Sequence, residues 1–247
     1  MRKYLYEALN NKFIVSEQKE DNISMIKCMK KYNADGYIIY KDHPLEMQIF
    51  NKDGSVATMC GNGLRCFLLY GLNNNYLTKK EYLVKVQKNK IPCEIISKDP
   101  FYSKVVLSPS KSKPTQTKVV FFKGKLIKIY TLFIGTLSHV IFYEKDINIE
   151  ELITFLKKVF IRNLGNISFV NIKNKAEMYV FTYERGVGFT PSCGTGNAAS
   201  FFISHSLGLV DDNVIINNRG GRMKVSYSLN SVNIYGTSSL IKEIQYE

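Results

Sequence analysis

One short motif appears twice in this chain. Cys60-Gly-Asn-Gly occupies residues 60–63 and Cys193-Gly-Thr-Gly residues 193–196. Each opens an apolar stretch that reads as a helix, Leu64–Leu72 in the first case and Asn197–Leu209 in the second. A cysteine at a helix N-terminus faces backbone N–H groups without helical partners and the positive end of the helix dipole. That setting lowers a thiol pKa, and the glycines let an anionic group come close to the backbone. One such motif suggests a nucleophile. Two equivalent ones suggest a pair of thiols acting on one substrate from opposite sides.

The rest of the chain repeats around these motifs. The first half reads as strands at Lys3–Leu9 and Phe13–Glu17, then a helix capped by Asn22 and running to about Tyr32. Strands follow at Tyr37–Tyr40 and Leu45–Phe50, then the first cysteine helix, then strands at Tyr82–Gln87, Ile91–Ser97 and Lys104–Ser108. Residues 109–117 read as a linker. The second half has strands at Val119–Phe122 and within Lys125–Tyr143, a helix at Ile149–Phe160, and strands at Ser168–Lys173 and Met178–Tyr183. The second cysteine helix comes next, followed by strands at Val214–Asn217, Met223–Leu229, Val232–Tyr235 and Leu240–Gln245. Asn51 stands nine residues before Cys60, and Glu184 nine before Cys193. Both halves thus place a polar residue at the end of the strand that feeds the cysteine loop.

The expected fold is therefore α/β (α+β), with two pseudo-symmetric domains, each a mainly antiparallel sheet wrapped around a central helix. The first domain covers 1–112 and bears Cys60, with a strand at about 238–247 returning to it. The second covers 113–237 and bears Cys193. A cleft between similar halves is the default place for a ligand.

Composition narrows the function classes. Hydrophobic content of 45% and charged content of 22% are those of a globular protein with a full core. The formal charge of +13 raises nucleic-acid binding as a rival reading. The basic residues, however, are scattered lysines with no arginine-rich run or aromatic interleaving, so a solvated surface is the plainer account. Five cysteines without CxxC spacing fit neither a disulfide framework nor a zinc site. The N-terminal stretch lacks a signal-peptide pattern, and the longest apolar run, Tyr130–Tyr143, is too short to span a bilayer. A reduced cytoplasmic protein with no nucleic-acid, membrane or metal partner is expected. A homodimer is compatible with the pattern.

Paired thiols suit one chemistry well. A thiolate removes the α-proton of a carbon acid on one face, and the opposing thiol delivers a proton to the other, without a cofactor. The stereocentre inverts, and backbone N–H groups at the helix starts hydrogen-bond the carboxylate as charge builds.

The segments Asp53-Gly-Ser-Val-Ala-Thr-Met-Cys60-Gly-Asn-Gly-Leu-Arg-Cys66 and Tyr183-Glu-Arg-Gly-Val-Gly-Phe-Thr-Pro-Ser-Cys193-Gly-Thr-Gly resemble the two signatures of the diaminopimelate epimerase family. Asn33-Ala-Asp-Gly36, Asn166-Ile-Ser-Phe and Gly220-Gly-Arg fall in the order that family shows, so the resemblance covers nearly the whole chain. It implies conversion of LL- to meso-diaminopimelate without pyridoxal phosphate, a step of lysine biosynthesis, with Cys60 and Cys193 as acid/base thiols. It further implies that Gly61, Asn62, Gly194 and Thr195 hold the carboxylate at the reacting centre. Asn51, Asn166, Glu184 and Arg185 match positions that grip the far end of diaminopimelate, and Asn11 matches the Asn of a Gly-Asn-Asp-Phe motif. Cys28 and Cys93 read as ordinary small apolar packing residues, and Cys66, six residues past Cys60 on the same helix, as packing too.

Two segments depart from the family pattern. Asn10 and Lys12 replace the Gly and Asp that flank Asn11. The family's Gly-Asn-Pro-His becomes Gly135-Thr-Leu-Ser-His139. An ungapped match sets Thr136 on the Asn and Ser138 on the His, whereas a one-residue insertion restores His139. These changes keep open a racemase of another amino acid, such as histidine.

Overall fold

A computed structural model describes residues 2–110, 115–143, 147–161 and 164–244. The chain divides into two compact units, Met1–Leu107 together with Asn233–Glu247, and Ser108–Val232.

In the first unit, β1 (Lys3–Ala8) and β2 (Asn11–Ser16) form an antiparallel hairpin. Its two turn residues, Leu9 and Asn10, have φ of 51° and 61°, the left-handed pair that a tight hairpin requires. Helix α1 (Asn22–Tyr32) is capped by Asp21 rather than Asn22. The Asp21 carboxylate accepts the Ser24 N–H at 2.9 Å and the Ser24 hydroxyl at 2.6 Å, so the charged neighbour takes the role one residue earlier than expected. Because α1 carries the chain back across the sheet, β3 (Gly36–Lys41) lies parallel to β2, and β4 (Glu46–Asn51) returns antiparallel to β3. Helix α2 (Gly61–Asn73) then leads to β5 (Glu81–Val86), parallel to β4, and to β6 (Asn89–Lys98) and β7 (Phe101–Leu107), which continue as a meander.

The second unit follows the same plan. Strand β8 (Thr115–Phe122) pairs with β9 (Lys125–Ile134), and β10 (Thr136–Phe142) folds back on β9. Helix α3 (Ile149–Val159) crosses to β11 (Asn166–Asn174), parallel to β10, and β12 (Glu177–Glu184) returns antiparallel. A two-residue strand, β13 (Gly188–Phe189), doubles back on the end of β12 and is too short to have been read from sequence. Helix α4 (Gly194–Ser206) is followed by β14 (Asn213–Asn218), parallel to β12, and β15 (Gly221–Ser228), and β16 (Ser231–Gly236) carries the chain over the boundary at Asn233. The last strand, β17 (Ser239–Ile244), pairs with β1 in the first unit, as β8 pairs with β9 in the second.

The expected linker at 109–117 is only partly irregular. Strand β8 already begins at Thr115, because its backbone is drawn into register with Thr131 of β9, and residues 111–114 lie outside the described part.

Two kinds of helix hold each unit together. On α1 only Met25 and Met29 are fully buried, packing on Leu5, Ile14, Tyr37, Ile39 and Phe50. Leu152, Ile153 and Leu156 of α3 do the same against Ile127, Ile129, Ile141, Ile167 and Phe169. Full burial of each such side chain stabilises by about 1.5–3 kcal/mol. In α2, by contrast, every residue from Gly61 to Gly71 is buried, and in α4 every residue from Gly194 to Ser204. A helix buried on all sides must be enclosed. Accordingly α2 touches β1, β2, β3, β4, β7 and β17, and α4 touches β9, β10, β11, β12 and β15. Strand β3, buried from Gly36 to Tyr40, fits between the two layers. Tyr37 and Ile39 face α1, while Tyr40 stacks on Phe67 of α2 at 4.4 Å.

Candidate active site

Each enclosed helix starts at a cysteine. Cys60 caps α2 with extended backbone, φ −152° and ψ 109°, and its sulfur accepts the Gly63 N–H at 3.3 Å. Cys193 caps α4 with φ −116° and ψ 111°, and accepts the Gly196 N–H at 3.4 Å. The helices therefore begin at Gly61 and Gly194, three residues before the apolar runs, because the sulfur satisfies an N–H that water would otherwise take. Glycine at the third position is sterically required in the second unit. A Cβ on Gly196 would stand 2.5 Å from Thr182 Oγ1 and 2.8 Å from Ser168 Oγ. On Gly63 it would meet Ile49 Cδ1 at 3.0 Å and the Cys60 sulfur at 3.3 Å.

The remaining cysteines are in different surroundings. Burial pushes the Cys93 thiol up to about 12, and it also raises Cys66 well above the ordinary thiol range. Cys28 is shifted upward too, again chiefly by burial. None of the three caps a helix start, and the first two are held neutral.

Around Cys60 the structure gathers part of the expected set. Asn62 Nδ2 donates to Asn11 Oδ1 at 2.5 Å. Asn62 Oδ1 accepts from Arg65 Nη2 at 2.6 Å, and Asn11 Nδ2 donates to Asp35 Oδ2 at 3.4 Å. Asn11, Asn62 and Arg65 are all buried. Asn51 ends β4 as expected from its spacing, but its side chain closes its own turn by donating to Ser55 Oγ at 3.0 Å. Arg65 was not singled out from sequence. Its signal was available: one arginine inside an otherwise apolar helix, five residues after the capping cysteine.

Around Cys193 the grouping is tighter. Asn166 Nδ2 lies 3.7 Å from the Cys193 sulfur, and its Oδ1 accepts the Arg185 N–H at 3.1 Å. The Thr195 hydroxyl is 3.5 Å from the same sulfur and accepts from Thr136 Oγ1 at 2.9 Å. Glu184, the last residue of β12, accepts the Thr190 hydroxyl at 2.5 Å, while Arg185 is exposed. Asn166 and Thr195 thus stand at the Cys193 sulfur, Arg185 is joined to Asn166 through its backbone N–H, and Glu184 is turned to Thr190.

Strand alternation resolves the two matches of the Thr136–His139 segment. Thr136 faces Thr195 at the start of α4. Ser138 shares that side of β10 by the two-residue period, and His139 takes the other. His139 stacks on Phe160 at 4.0 Å, and its Nδ1 is 2.8 Å from Thr131 Oγ1. The imidazole is a core residue of the α3 layer, and the ungapped match is the one with the geometry of the site.

Two repeats of one sheet-and-helix plan, each with a cysteine at the start of its enclosed helix, define a racemase or epimerase of the paired-cysteine type. Solved structures share the fold. A hydroxyproline epimerase from Agrobacterium vitis with bound trans-4-hydroxy-L-proline superposes with a TM-score of 0.78 at 12% identity, over 100% of this chain and 90% of that one. A PhzF-family phenazine biosynthesis protein from Bacillus anthracis gives 0.71 at 13% identity, over 99% and 98%. By sequence, the diaminopimelate epimerase family profile matches residues 10–107. The diaminopimelate epimerase of Clostridium perfringens is 30% identical over 97% of this chain and 93% of its own length. The chain belongs to the diaminopimelate epimerase family.

Proposed function

We propose that this enzyme epimerises LL-diaminopimelate to the meso form, with Cys60 and Cys193 as its two acid/base groups. One sulfur, as thiolate, takes the Cα proton, and the electron pair left on carbon delocalises into the adjacent carboxylate. The other, as thiol, returns a proton to the opposite face. The chain ends with the protonation states of the two sulfurs exchanged, and no net oxidation or reduction occurs. N–H groups at the starts of α2 and α4, with Asn62 and Thr195, are assigned to the carboxylate at the reacting carbon. Asn11, Asn51, Asn166, Glu184 and Arg185 are assigned to the far ammonium and carboxylate.

One observation carries this reading: both cysteines cap enclosed helices at equivalent places in the two repeats, each with an N–H three residues on donating to its sulfur. A single catalytic thiol would not need the arrangement twice. The family membership supports diaminopimelate as the substrate.

A second reading keeps the thiols and changes the substrate to a single-centre amino acid such as histidine. It is favoured by the Thr136–His139 segment, where Thr136 and Ser138 take the side of β10 facing α4 and the imidazole is turned into the core. Incubating LL-diaminopimelate, histidine, proline and alanine separately with the enzyme in deuterated water tests both. Deuterium at Cα of diaminopimelate alone is the expected result. Exchange on histidine with none on diaminopimelate would overturn the substrate and leave the two-thiol chemistry standing.

A further inference from the structure

Arg65 is a fully buried cation whose Nε and Nη1 have no hydrogen-bond partner among the described residues. Its guanidinium lies against the backbone of Gly236, where an added Cβ would stand 2.6 Å from Nη1 and 2.8 Å from Cζ. The Ser238 hydroxyl donates to the Arg65 carbonyl at 3.0 Å and ties down the same turn of helix. Burial lowers its pKa to about 10, which leaves it charged at neutral pH. Burying a charge so sparsely bonded is unfavourable, and an apolar residue would fill the space more stably. Among the described residues, the one side-chain bond it makes is to Asn62 Oδ1.

We propose that Arg65 and Asp35 are the two ends of a directional hydrogen-bond relay that sets which atoms Asn62 and Asn11 turn toward a bound amino acid. An asparagine amide can rotate by half a turn and exchange its donor for its acceptor with little change in shape. Arginine can only donate, so Asn62 must present Oδ1 to it, and Nδ2 then points to Asn11. Asp35, as carboxylate, can only accept, so Asn11 must present Nδ2 to it and Oδ1 to Asn62. Both rotations are therefore decided by the charges at the ends. Asp35 is itself held by the Lys12 N–H at 3.0 Å and by Lys52 Nζ at 2.8 Å. Arg65 and Asp35 are positioning residues, acting through the two asparagines. The inference rests on the assignment of Asn11 and Asn62 to the substrate.

The second unit shows why the relay is needed only in the first. Thr136 and Asn11 are the first residues of β10 and β2, and Thr195 and Asn62 each stand two places after their cysteine. The equivalent contact there is Thr136 Oγ1 to Thr195 Oγ1. Hydroxyls reorient about a single bond and serve either role. They need no charged ends, and the position equivalent to Arg65, five places after the cysteine, is the buried Ala198.

The test compares Arg65→Gln, Arg65→Lys, Asp35→Asn and Lys52→Met with Asn11→Ala and Asn62→Ala. KM and kcat are read from Cα deuterium exchange on LL-diaminopimelate. Glutamine and asparagine at the relay ends can donate or accept, so each should raise KM by about tenfold with kcat within about threefold. Arg65→Lys keeps a donor-only cation and should restore most of the loss. Lys52→Met should leave KM unchanged, since Asp35 remains an acceptor. Adding Asn62→Ala to Arg65→Gln should cost nothing further, the signature of coupled residues. Side-chain amide signals of 15N-asparagine-labelled protein, assigned through the two alanine variants, give a readout without substrate. Those of Asn11 and Asn62 should exchange slowly with water in wild type and in Arg65→Lys, and faster in Arg65→Gln and Asp35→Asn. If Asn62→Ala raises KM but folded Arg65→Gln and Asp35→Asn match wild type in KM and amide exchange, the relay is wrong and the binding assignment stands. Wild-type KM in both alanine variants would overturn the assignment and the relay together. Should Arg65→Gln fail to fold, Asp35→Asn at the half-exposed end decides alone.

Discussion

In the first unit the residue two places after the cysteine is an asparagine gripped between an arginine and a second asparagine; in the second it is a threonine bonded to another threonine. The surrounding frame is the same: a hairpin, a crossing helix, a parallel strand, its antiparallel neighbour, and an enclosed helix capped by cysteine. The comparison teaches that the repeat preserves what backbone geometry demands and varies what side chains recognise. The capping sulfur and the glycine three places on are common to both. The polar groups are not. Near Cys193, Asn166 and Thr195 lie within 3.7 Å of the sulfur, whereas near Cys60 the amides form a chain running away to Asp35.

The strongest way to break the equivalence is to remove one thiol at a time. Cys60→Ser and Cys193→Ser should each reduce Cα exchange by about three powers of ten or more, because a hydroxyl is a far weaker acid/base at neutral pH. If one variant keeps near-normal racemisation of a resolved substrate, the halves are not chemical equals. Cys66→Ala and Cys93→Ala should leave the chemistry in place.

A smaller difference is expected at the position two places after each cysteine. Asn62→Ala removes a group whose orientation is enforced from both ends, and should raise KM about tenfold or more. Thr195→Val removes a hydroxyl 3.5 Å from the sulfur and should act chiefly on kcat. Steady-state exchange rates over a range of substrate concentrations separate the two. A KM effect of equal size in both would mean that the halves bind substrate alike.

The glycines sharpen the comparison on stability. A methyl on Gly196 meets two hydroxyl oxygens from β11 and β12 inside contact distance, whereas on Gly63 the nearest atom is the mobile end of Ile49. Gly196→Ala should cost about 1–3 kcal/mol by overpacking and Gly63→Ala less, as read by thermal unfolding. The reverse order would contradict the closer enclosure of α4 at this turn.

The smallest effect concerns pH. Cys93 is held neutral by burial, with its pKa raised to about 12, and Cys66 is raised in the same direction. Thiols whose folded pKa exceeds the unfolded value of about 8.5 stabilise the fold fully below that value. That stabilisation is lost as pH rises toward the folded pKa. Stability should therefore decline between about pH 9 and 12, and Cys93→Ala should make the decline shallower. Denaturant midpoints across that range measure it, and an identical slope in the variant would count against the assignment to Cys93.

Much of the fold was legible because its signals are local. Alternation and turn residues placed nearly every strand, and the amphipathic run Ile149–Val159 declared the crossing helix of the second half. The two Cys-Gly-x-Gly motifs marked the helix starts because a cap and a close-approach glycine leave a fixed spacing. The nine-residue offsets put Asn51 and Glu184 at the strand ends, where the structure has them. What the sequence could not decide depended on side chains meeting across distant segments. Whether His139 or Ser138 faces α4 turned on a one-residue register, and only strand pairing with β9 and β11 settles register. The Asp21 cap turned on which of two adjacent polar residues reached an N–H. The relay from Arg65 through Asn62 and Asn11 to Asp35 joins a helix to the start of β2 and to the residue before β3, far apart in the chain, so no local pattern records it. Local periodicity determined the elements and the thiols; tertiary packing decided which polar atoms face each other, because hydrogen-bond direction is set by partners that only folding brings together.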